Sequence, residues 1–348
     1  NSGLPYFVKK SSIKPKLIGM SLEDLITKVK NMLPSILFTR TQEGNKTRDV
    51  WGYSIYNSLI ETMFYIPLLA YQSKLKWRSA LVSPDLVSRN ITEMIFKCKN
   101  NSDLCMVSID FKGFDKTVLT AISSFAFEYI KILFQPAYHI YIDLIKSVFQ
   151  TCGIVTPSGI ISGKHGIPSG STFTNEVDSI VQYTIALSSG LVDPLYMQVQ
   201  GDDGVYLIGK QDLDNLVKVF EECGLKVNVS KSFTSDEYCV YLQLLYHRDY
   251  IQSDGLVGGI YPTYRALCRI VFQERFVNFL DDELEGKDYY SIRTICILEN
   301  CKFHPLFEEL VSFIYYKDKY RLSYSGESLR KYVKSIEKGS GTGGVLFN

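Results

Sequence analysis

The chain has no run of about 18 apolar residues and no charged-then-apolar leader, so its 348 residues support neither membrane spanning nor secretion. Its eight cysteines form no CxxC pair and no regular framework, which argues against a disulfide scaffold and for free thiols in a reducing compartment. Cys296, Cys301 and His304 are close in sequence but lack a fourth ligand, so core or surface roles are favoured over a zinc site. Internal repeats are missing, and net charge is almost missing at +1. What is present is apolar surface: hydrophobic residues make up 46%, with 24 Tyr and 20 Phe, enough for the cores of two or three lobes. The near-neutral total hides an uneven distribution. Between Asn1 and Arg48 nine basic residues stand against three acids, a local excess of +6. Such a segment either lines a channel for phosphates or forms a solvated face.

The acids gather in two places. Gln200-Gly201-Asp202-Asp203-Gly204 lies between the apolar runs Leu195–Val199 and Val205–Ile208, the pattern of a β-hairpin whose tip carries two carboxylates. Turns favour Asp and Gly on their own account, so the triplet alone fits either a divalent-cation site or a solvated turn. A second acidic stretch, Asp110-Phe111-Lys112-Gly113-Phe114-Asp115, follows the apolar strand pattern Leu104–Ile109. A carboxylate at a buried strand end needs a cation or a donor. If the two strands are neighbours, Asp110 and Asp202 can together hold a pair of Mg2+ ions roughly 3.5–4 Å apart, as in phosphoryl transfer.

Residues Asn1–Lys16 read as extended and basic, because Gly3 and Pro5 oppose a helix. The absence of an initiator Met suggests a fragment of a longer protein. Ser21–Met32 reads as a helix with Ser21 as N-cap and Asp24 three positions on. Leu37–Trp51 then alternates cations about a Gly-Asn turn, a hairpin offering Arg40, Lys46 and Arg48 to an anion such as a triphosphate. Asn57–Tyr71, Ser83–Lys99, Val118–Phe134 and Ala137–Gln150 read as helices, with Pro67 bending or ending the first, Phe, Tyr and Ile facing a sheet, and His139 a satisfied core residue.

Residues Ser162–Asn175 contain several glycines and a proline, hence a loop, with a helix starting near Ser171. On that helix Thr174, Asn175 and Asp178 share a face suited to reading a ribose hydroxyl. Asp212–Cys223 is an amphipathic helix closed by Gly224, Lys226–Phe233 and Tyr238–Tyr246 read as strands, and the chain is helical from Tyr264, through Arg265, Arg269 and Arg275. The Gly-rich end, from Gly339, reads as a flexible tail.

Taken in order, these stretches resemble the palm and adjoining parts of a viral RNA-dependent RNA polymerase, most like those of double-stranded RNA viruses of the picobirnavirus and partitivirus kind. The resemblance rests on Arg40–Trp51, Asp110-x4-Asp115, Pro168-Ser169-Gly170-Ser171-x-Phe173-Thr174, Gly201-Asp202-Asp203, Gly224-Leu225-x-Val227-Asn228-x-x-Lys231-Ser232 and Tyr241-Leu242-Gln243. It implies an α+β right-hand fold with an antiparallel palm sheet, fingers and a helical thumb. The implied division is fingers (part) over 1–102, palm over 103–120, fingers and palm helices over 121–165, palm over 166–250, and thumb with tail over 251–348. The implied activity is template-directed RNA synthesis from ribonucleoside triphosphates with two Mg2+ ions, Mn2+ being an alternative.

By the same resemblance Asp110, Asp202 and Asp203 are metal ligands and catalytic, and Lys231 is the general acid, with Lys226 as runner-up. Arg40, Lys46, Arg48, Asp115, Ser169, Gly170, Thr174, Asn175 and Asp178 belong to the nucleotide site, and Lys164, Tyr241, Gln243, Arg265 and Arg269 to RNA contacts. Many positive-strand relatives carry Asn where this chain has Asp178, which leaves sugar reading divided between Asp178 and Asn175. Expected partners are RNA template and product, nucleotides and capsid protein, without membrane, inside the virion and the host cytoplasm. A reverse transcriptase or a non-catalytic RNA-packaging protein on the same fold are the competing readings. Asp115 opposes the first, and retention of all three acids opposes the second.

Overall fold

The computed structural model describes residues 2–42, 46–273 and 284–340, apart from the side chains of Ser11, Gln42, Lys46 and 335–340. The chain divides into two compact units, Asn1–Leu242 with His247–Asp249, and Gln243–Tyr246 with Tyr250–Asn348.

The first unit opens with helices α1 (Lys10–Leu17) and α2 (Leu22–Lys30), followed by strands β1 (Ser35–Gln42) and β2 (Lys46–Gly52). The extended reading of Asn1–Lys16 is corrected by α1, which runs through Pro15 and buries Ile13 in the core; that burial outweighs the missing proline donor. Ser21 caps α2 as expected, accepting from the Asp24 amide at 3.1 Å. Helices α3 (Ile55–Gln72) and α4 (Pro84–Lys99) precede strand β3 (Leu104–Ile109), with α3 continuing through Pro67. Then come α5 (Phe114–Thr117), α6 (Thr120–Ile132) and α7 (His139–Thr151), the short strands β4 (Ile154–Thr156) and β5 (Gly159–Ile161), and α8 (Thr174–Ser188). Strands β6 (Met197–Gln200) and β7 (Asp203–Gly209), helix α9 (Leu213–Glu222), and strands β8 (Phe233–Ser235) and β9 (Tyr238–Tyr241) complete the unit.

Two four-stranded sheets result. One runs β2-β1-β4-β5, and the other runs β6-β7-β3-β8 with every pairing antiparallel. In the second sheet β3 and β7 are central and almost wholly buried, which suits their unbroken apolar runs. Cys105, Val107 and Ile109 of β3, with Tyr206 and Ile208 of β7, belong to one core with α6, α7, α8 and α9 through Phe127, Phe149, Val177, Ile180 and Phe220. Each such side chain, fully buried, contributes roughly 1.5–3 kcal/mol.

Two sequence expectations fail locally. Helix α8 begins at Thr174 rather than near Ser171: the Ser171 hydroxyl donates to Glu61 at 2.7 Å and accepts from the Phe173 amide at 3.1 Å, closing a turn ahead of the helix. Residues Lys226–Phe233 are not one strand: a single bridge joins Val227 to Phe111, a 3-10 turn occupies Val229–Lys231, and β8 starts only at Phe233.

The second unit contains β10 (Leu244–His247) and helices α10 (Thr263–Val271), α11 (Gly286–Glu299), α12 (Phe307–Lys317) and α13 (Gly326–Ser340). Its core joins Tyr261, Ala266, Leu298, Cys301, Leu310 and Ile314. Gly339 and Ser340, read as the start of the tail, belong to α13, whereas Arg275 and the residues beyond Ser340 lie outside the described residues.

Candidate active site

Strand register brings the acids together. Ile109 of β3 pairs with Gly204 of β7, so Asp110 and Asp203, one step further along, lie opposite each other on one sheet face. Asp202 sits beside them in the two-residue turn between β6 and β7, where Gln200 pairs with Asp203 and Gly201 adopts φ +64. Glycine at the first turn position with positive φ is what a primed hairpin turn demands. Burial, reinforced by Asp202 and then Asp110 and opposed by Arg48, pushes the Asp203 carboxyl up to about 6.

Helix α8 holds this hairpin from below along one face. Ser179 Oγ accepts from the Gly201 amide at 2.7 Å, Gln182 Nε2 donates to the Gly201 carbonyl at 3.1 Å, and Asn175 Oδ1 accepts from Gln200 Nε2 at 2.8 Å. Tyr206 in turn donates to Gln182 Oε1 at 2.5 Å. The amide of Gln182 fills the space a side chain would need at Gly204: a Cβ there would lie 1.9 Å from Gln182 Oε1 and 2.6 Å from the Tyr206 hydroxyl. A buried ion pair, Arg78 with Glu176, ties the same helix to the 3-10 segment Lys76–Leu81, both side chains being fully buried. Arg78 also reaches Asn175 Oδ1 at 3.5 Å, and Ser79 donates to Gln198 on β6. A buried pair of this kind adds little net stability, but removing one partner strands the other charge in the interior.

Asp110 is held from its other side. Its Oδ2 accepts from Asn228 Nδ2 at 2.7 Å, its carbonyl accepts from the Asn228 amide at 2.7 Å, and its amide donates to Ser232 Oγ at 3.2 Å. Lys231 and Lys226 are both exposed, Lys231 within the 3-10 turn that follows Asn228.

The expected cationic strands pair, while the Gly44-Asn45 turn between them lies outside the described residues. In β1 and β2 Arg40 pairs with Arg48, so both guanidinium groups leave the ribbon on one face. The Lys46 side chain lies outside the described residues. Arg48 is exposed, and its charge opposes the upward shifts of both Asp115 and Asp203. The loop before α8 docks on β2 by a close backbone approach. Ser169 Oγ accepts from the Trp51 amide at 3.1 Å and donates to the Asp49 carbonyl at 3.3 Å. A Cβ at Gly170 would lie 1.9 Å from the Trp51 carbonyl oxygen. Beneath the loop the buried Glu61 carboxylate of α3 accepts from Ser171 Oγ and the Thr172 amide, each at 2.7 Å. Burial raises Glu61 to about 7 against these bonds.

The face Thr174, Asn175, Asp178 separates into different surroundings. The Thr174 hydroxyl bonds the carbonyls of Pro168 and Ser171 within the loop, and Asn175 bonds Gln200. Asp178 is buried with Oδ1 unpartnered, and burial, then Asp115 and Asp202, hold it well above the usual carboxylate range. Asp115 is raised for the same reasons, burial first and then Asp202.

Lys164 is exposed in the loop and Tyr241 is buried at the end of β9. Gln243 is exposed, and with Leu242 it takes positive φ (66 and 51), a turn conformation that side chains rarely adopt. In the second unit Arg269 Nη1 donates to the Tyr261 hydroxyl at 3.2 Å, and Arg265, on the same helix α10, is half-buried. Also there, Cys301 is buried in the core, Cys296 is exposed, and His304 Nδ1 accepts from the Leu306 amide at 3.0 Å.

Sequence reading missed Glu61, Arg78 and Gln182, and quoted Asn228 within a motif without giving it a role. Of these only Glu61 carried a signal, as a lone charge in an apolar stretch; Arg78 follows Lys74 and Lys76 and reads as one more exposed cation.

Among the described residues no three His, Cys, Asp or Glu side chains converge closely enough to enclose a metal by themselves. The acids form an open group, the type Mg2+ uses when waters and phosphate oxygens complete its shell. An antiparallel sheet that gathers carboxylates near a cationic hairpin is an arrangement suited to phosphate chemistry. The comparisons specify the family. The family model described as viral RNA-dependent RNA polymerase matches residues 16–257, and the chain belongs to that family. It is 32% identical over 345 residues to a potential RNA-dependent RNA polymerase of human picobirnavirus (strain Human/Thailand/Hy005102/-), an alignment covering 92% of this chain and 63% of the relative. It is 26% identical over 208 residues to the RNA-directed RNA polymerase of Cryptosporidium parvum virus 1, covering 56% of this chain and 39% of that one. A crystal structure of the polymerase of a human picobirnavirus superposes with TM-score 0.80 at 28% identity, covering 100% of this chain and 68% of that chain. The chain thus spans less than two thirds of the length of the curated relatives it matches.

Proposed function

We propose that this chain carries the synthetic centre of an RNA-directed RNA polymerase, joining ribonucleoside triphosphates on an RNA template for viral replication and transcription. The observation that carries this reading is the register that sets Asp110 opposite Asp203 beside the Asp202 turn, within reach of the Arg48 field. Burial first, and then repulsion from Asp202 and Asp110, raises Asp203, and a divalent cation would offset both. Asp110, Asp202 and Asp203 would hold two Mg2+ ions, or Mn2+, and the bound ions would stabilise charge on the attacking and leaving oxygens.

The chain's own residues do the rest. Arg40, Lys46 and Arg48 grip the triphosphate, and Lys231, exposed on its turn, gives a proton to the departing pyrophosphate, with Lys226 as the alternative donor. Ser169, Gly170 and Thr174 set the loop that lies along the nucleotide, and Asn175 steadies the acid hairpin. Asp115 and Asp178 are the buried pair that reads the sugar hydroxyl, since Asp178 has an unpartnered oxygen to offer. Lys164, Tyr241, Gln243, Arg265 and Arg269 are assigned to RNA. The β6-β7-β3-β8 sheet is the palm, the segment to residue 102 part of the fingers and the helical second unit the thumb. Capsid protein is the expected partner inside a virion.

The test is Mg2+-dependent incorporation of labelled ribonucleotides on single-stranded RNA, run beside Asp202→Ala. The parent should incorporate, and the variant should lose at least ~10^3-fold while keeping its fold and RNA affinity. RNA binding by the parent without incorporation under Mg2+ or Mn2+ sinks the reading.

A further inference from the structure

We propose that Asn228 is the positioning residue for Asp110: its amide fixes the carboxylate's orientation before any cation arrives and ties it to the turn that carries Lys231. The inference rests on the polymerase reading above and adds a residue that touches neither nucleotide nor ion.

Asn228 is only 8% exposed, and its polar groups all have partners in one small ring. Its backbone amide donates to the Asp110 carbonyl and its side-chain Nδ2 to Asp110 Oδ2, both at 2.7 Å. Its Oδ1 accepts from Ser230 Oγ at 2.9 Å. Its carbonyl accepts from Ser232 Oγ at 3.0 Å, while that same Ser232 oxygen accepts from the Asp110 amide at 3.2 Å. The ring therefore grips Asp110 at its amide, its carbonyl and one carboxylate oxygen.

The carboxylate settles which end of the Asn228 amide faces it, because Oδ2 only accepts and so takes the NH2 end, while the Ser230 hydroxyl adapts to whichever end is left. The flipped amide would set oxygen against oxygen. The bond to Oδ2 has the length of a charge-assisted one and uses a single lone pair, so most of the carboxylate's acceptor capacity stays available to a cation. A ligand held in one rotamer by such a partner binds metal more tightly than one that must be frozen on binding.

The same carbonyl of Asn228 accepts the amides of Lys231 at 2.9 Å and Ser232 at 3.0 Å, closing the Val229–Lys231 turn. The turn that carries the candidate proton donor is thereby built on the residue that orients the metal ligand.

Mn2+ binding to the intact chain without substrate, read by electron paramagnetic resonance, tests this directly. Asn228→Ala should weaken Mn2+ ~10-fold or more and raise by a similar factor the Mg2+ concentration for half-maximal incorporation. Ser230→Ala, whose side chain is exposed and whose loss spares the fold, should weaken Mn2+ roughly 3-fold by loosening the amide that holds the carboxylate. Lys231→Ala should leave Mn2+ binding unchanged while lowering turnover. Parental Mn2+ affinity in Ser230→Ala, or in a folded Asn228→Ala, overturns the proposal. If the parent itself never incorporates yet the variants still weaken Mn2+, the positioning role stands and the polymerase reading is what falls.

Discussion

The first unit contains two β-hairpins of opposite charge, and they are held in opposite ways. The acid hairpin of β6 and β7 is short, nearly buried, and bonded at its turn to Ser179 and Gln182 of α8. The cationic ribbon of β1 and β2 is longer and more exposed, and the loop before α8 meets it mainly through its backbone, at Trp51 and Asp49. Carboxylates that must share small cations need fixed positions, because repulsion between them grows as they approach. Cations that grip a triphosphate gain from reach, and each holds a charge that the ligand itself brings into place. Rigidity is therefore placed where the repulsion is.

Three perturbations sharpen or break this contrast. The largest acts on the support of the cationic ribbon, the loop that Glu61 holds from below. Glu61 has a folded-state pKa of about 7 against an ordinary value of 4.5. Below pH ~4.5 both states carry the proton and there is no penalty. Between there and about 7 the unfolded chain releases a proton that the folded chain keeps, so stability falls, by about 3 kcal/mol in total. The difference in unfolding free energy between parent and Glu61→Gln, followed by urea denaturation across this range, should shift by about that amount in the variant's favour as pH rises. A difference independent of pH would show that the loop does not rest on a buried acid.

Next in size is Gly204→Ala, which drives a methyl group into Gln182 and the Tyr206 hydroxyl. Overpacking of this kind costs about 2 kcal/mol, and displacement of the turn should lower incorporation as well. A variant with parental stability and parental rate would mean the acid hairpin is no more fixed than the cationic one. Smallest is Arg48→Ala. It should raise the KM for nucleotide ~10-fold, with a shrinking effect at high salt and almost no change in melting temperature. A large loss of stability there would make the ribbon structural after all.

The hairpins, β3, and α9 with its Gly224 stop were legible in the sequence because alternation, turn residues and helical spacing are local signals. Helix α1 was not, since Gly3 and Pro5 were read against a helix in that segment and only the distant core that receives Ile13 argues for one. Residues Lys226–Phe233 alternate like a strand, yet the chain curls there to bond Asp110, more than a hundred positions upstream. The acids themselves were readable from their triplets. What holds them was not, because Ser179, Gln182 and Asn228 look like ordinary polar residues until the fold brings Gly201 and Asp110 to them. Thr174, Asn175 and Asp178 shared a helix face on paper, and only their partners in space separate a loop hydroxyl, a hairpin brace and a buried acid.

The interlock of Gly204, Gln182 and Tyr206 has a consequence for how such a chain can vary. Along the cationic ribbon, an exposed residue can be exchanged by itself and tried at once. Under the acid hairpin, a side chain at 204 becomes admissible only after 182 has shrunk, and shrinking 182 first leaves the Gly201 carbonyl and the Tyr206 hydroxyl without their partner. Each order of events passes through a worse intermediate, so these three positions form a lock that single replacements do not open.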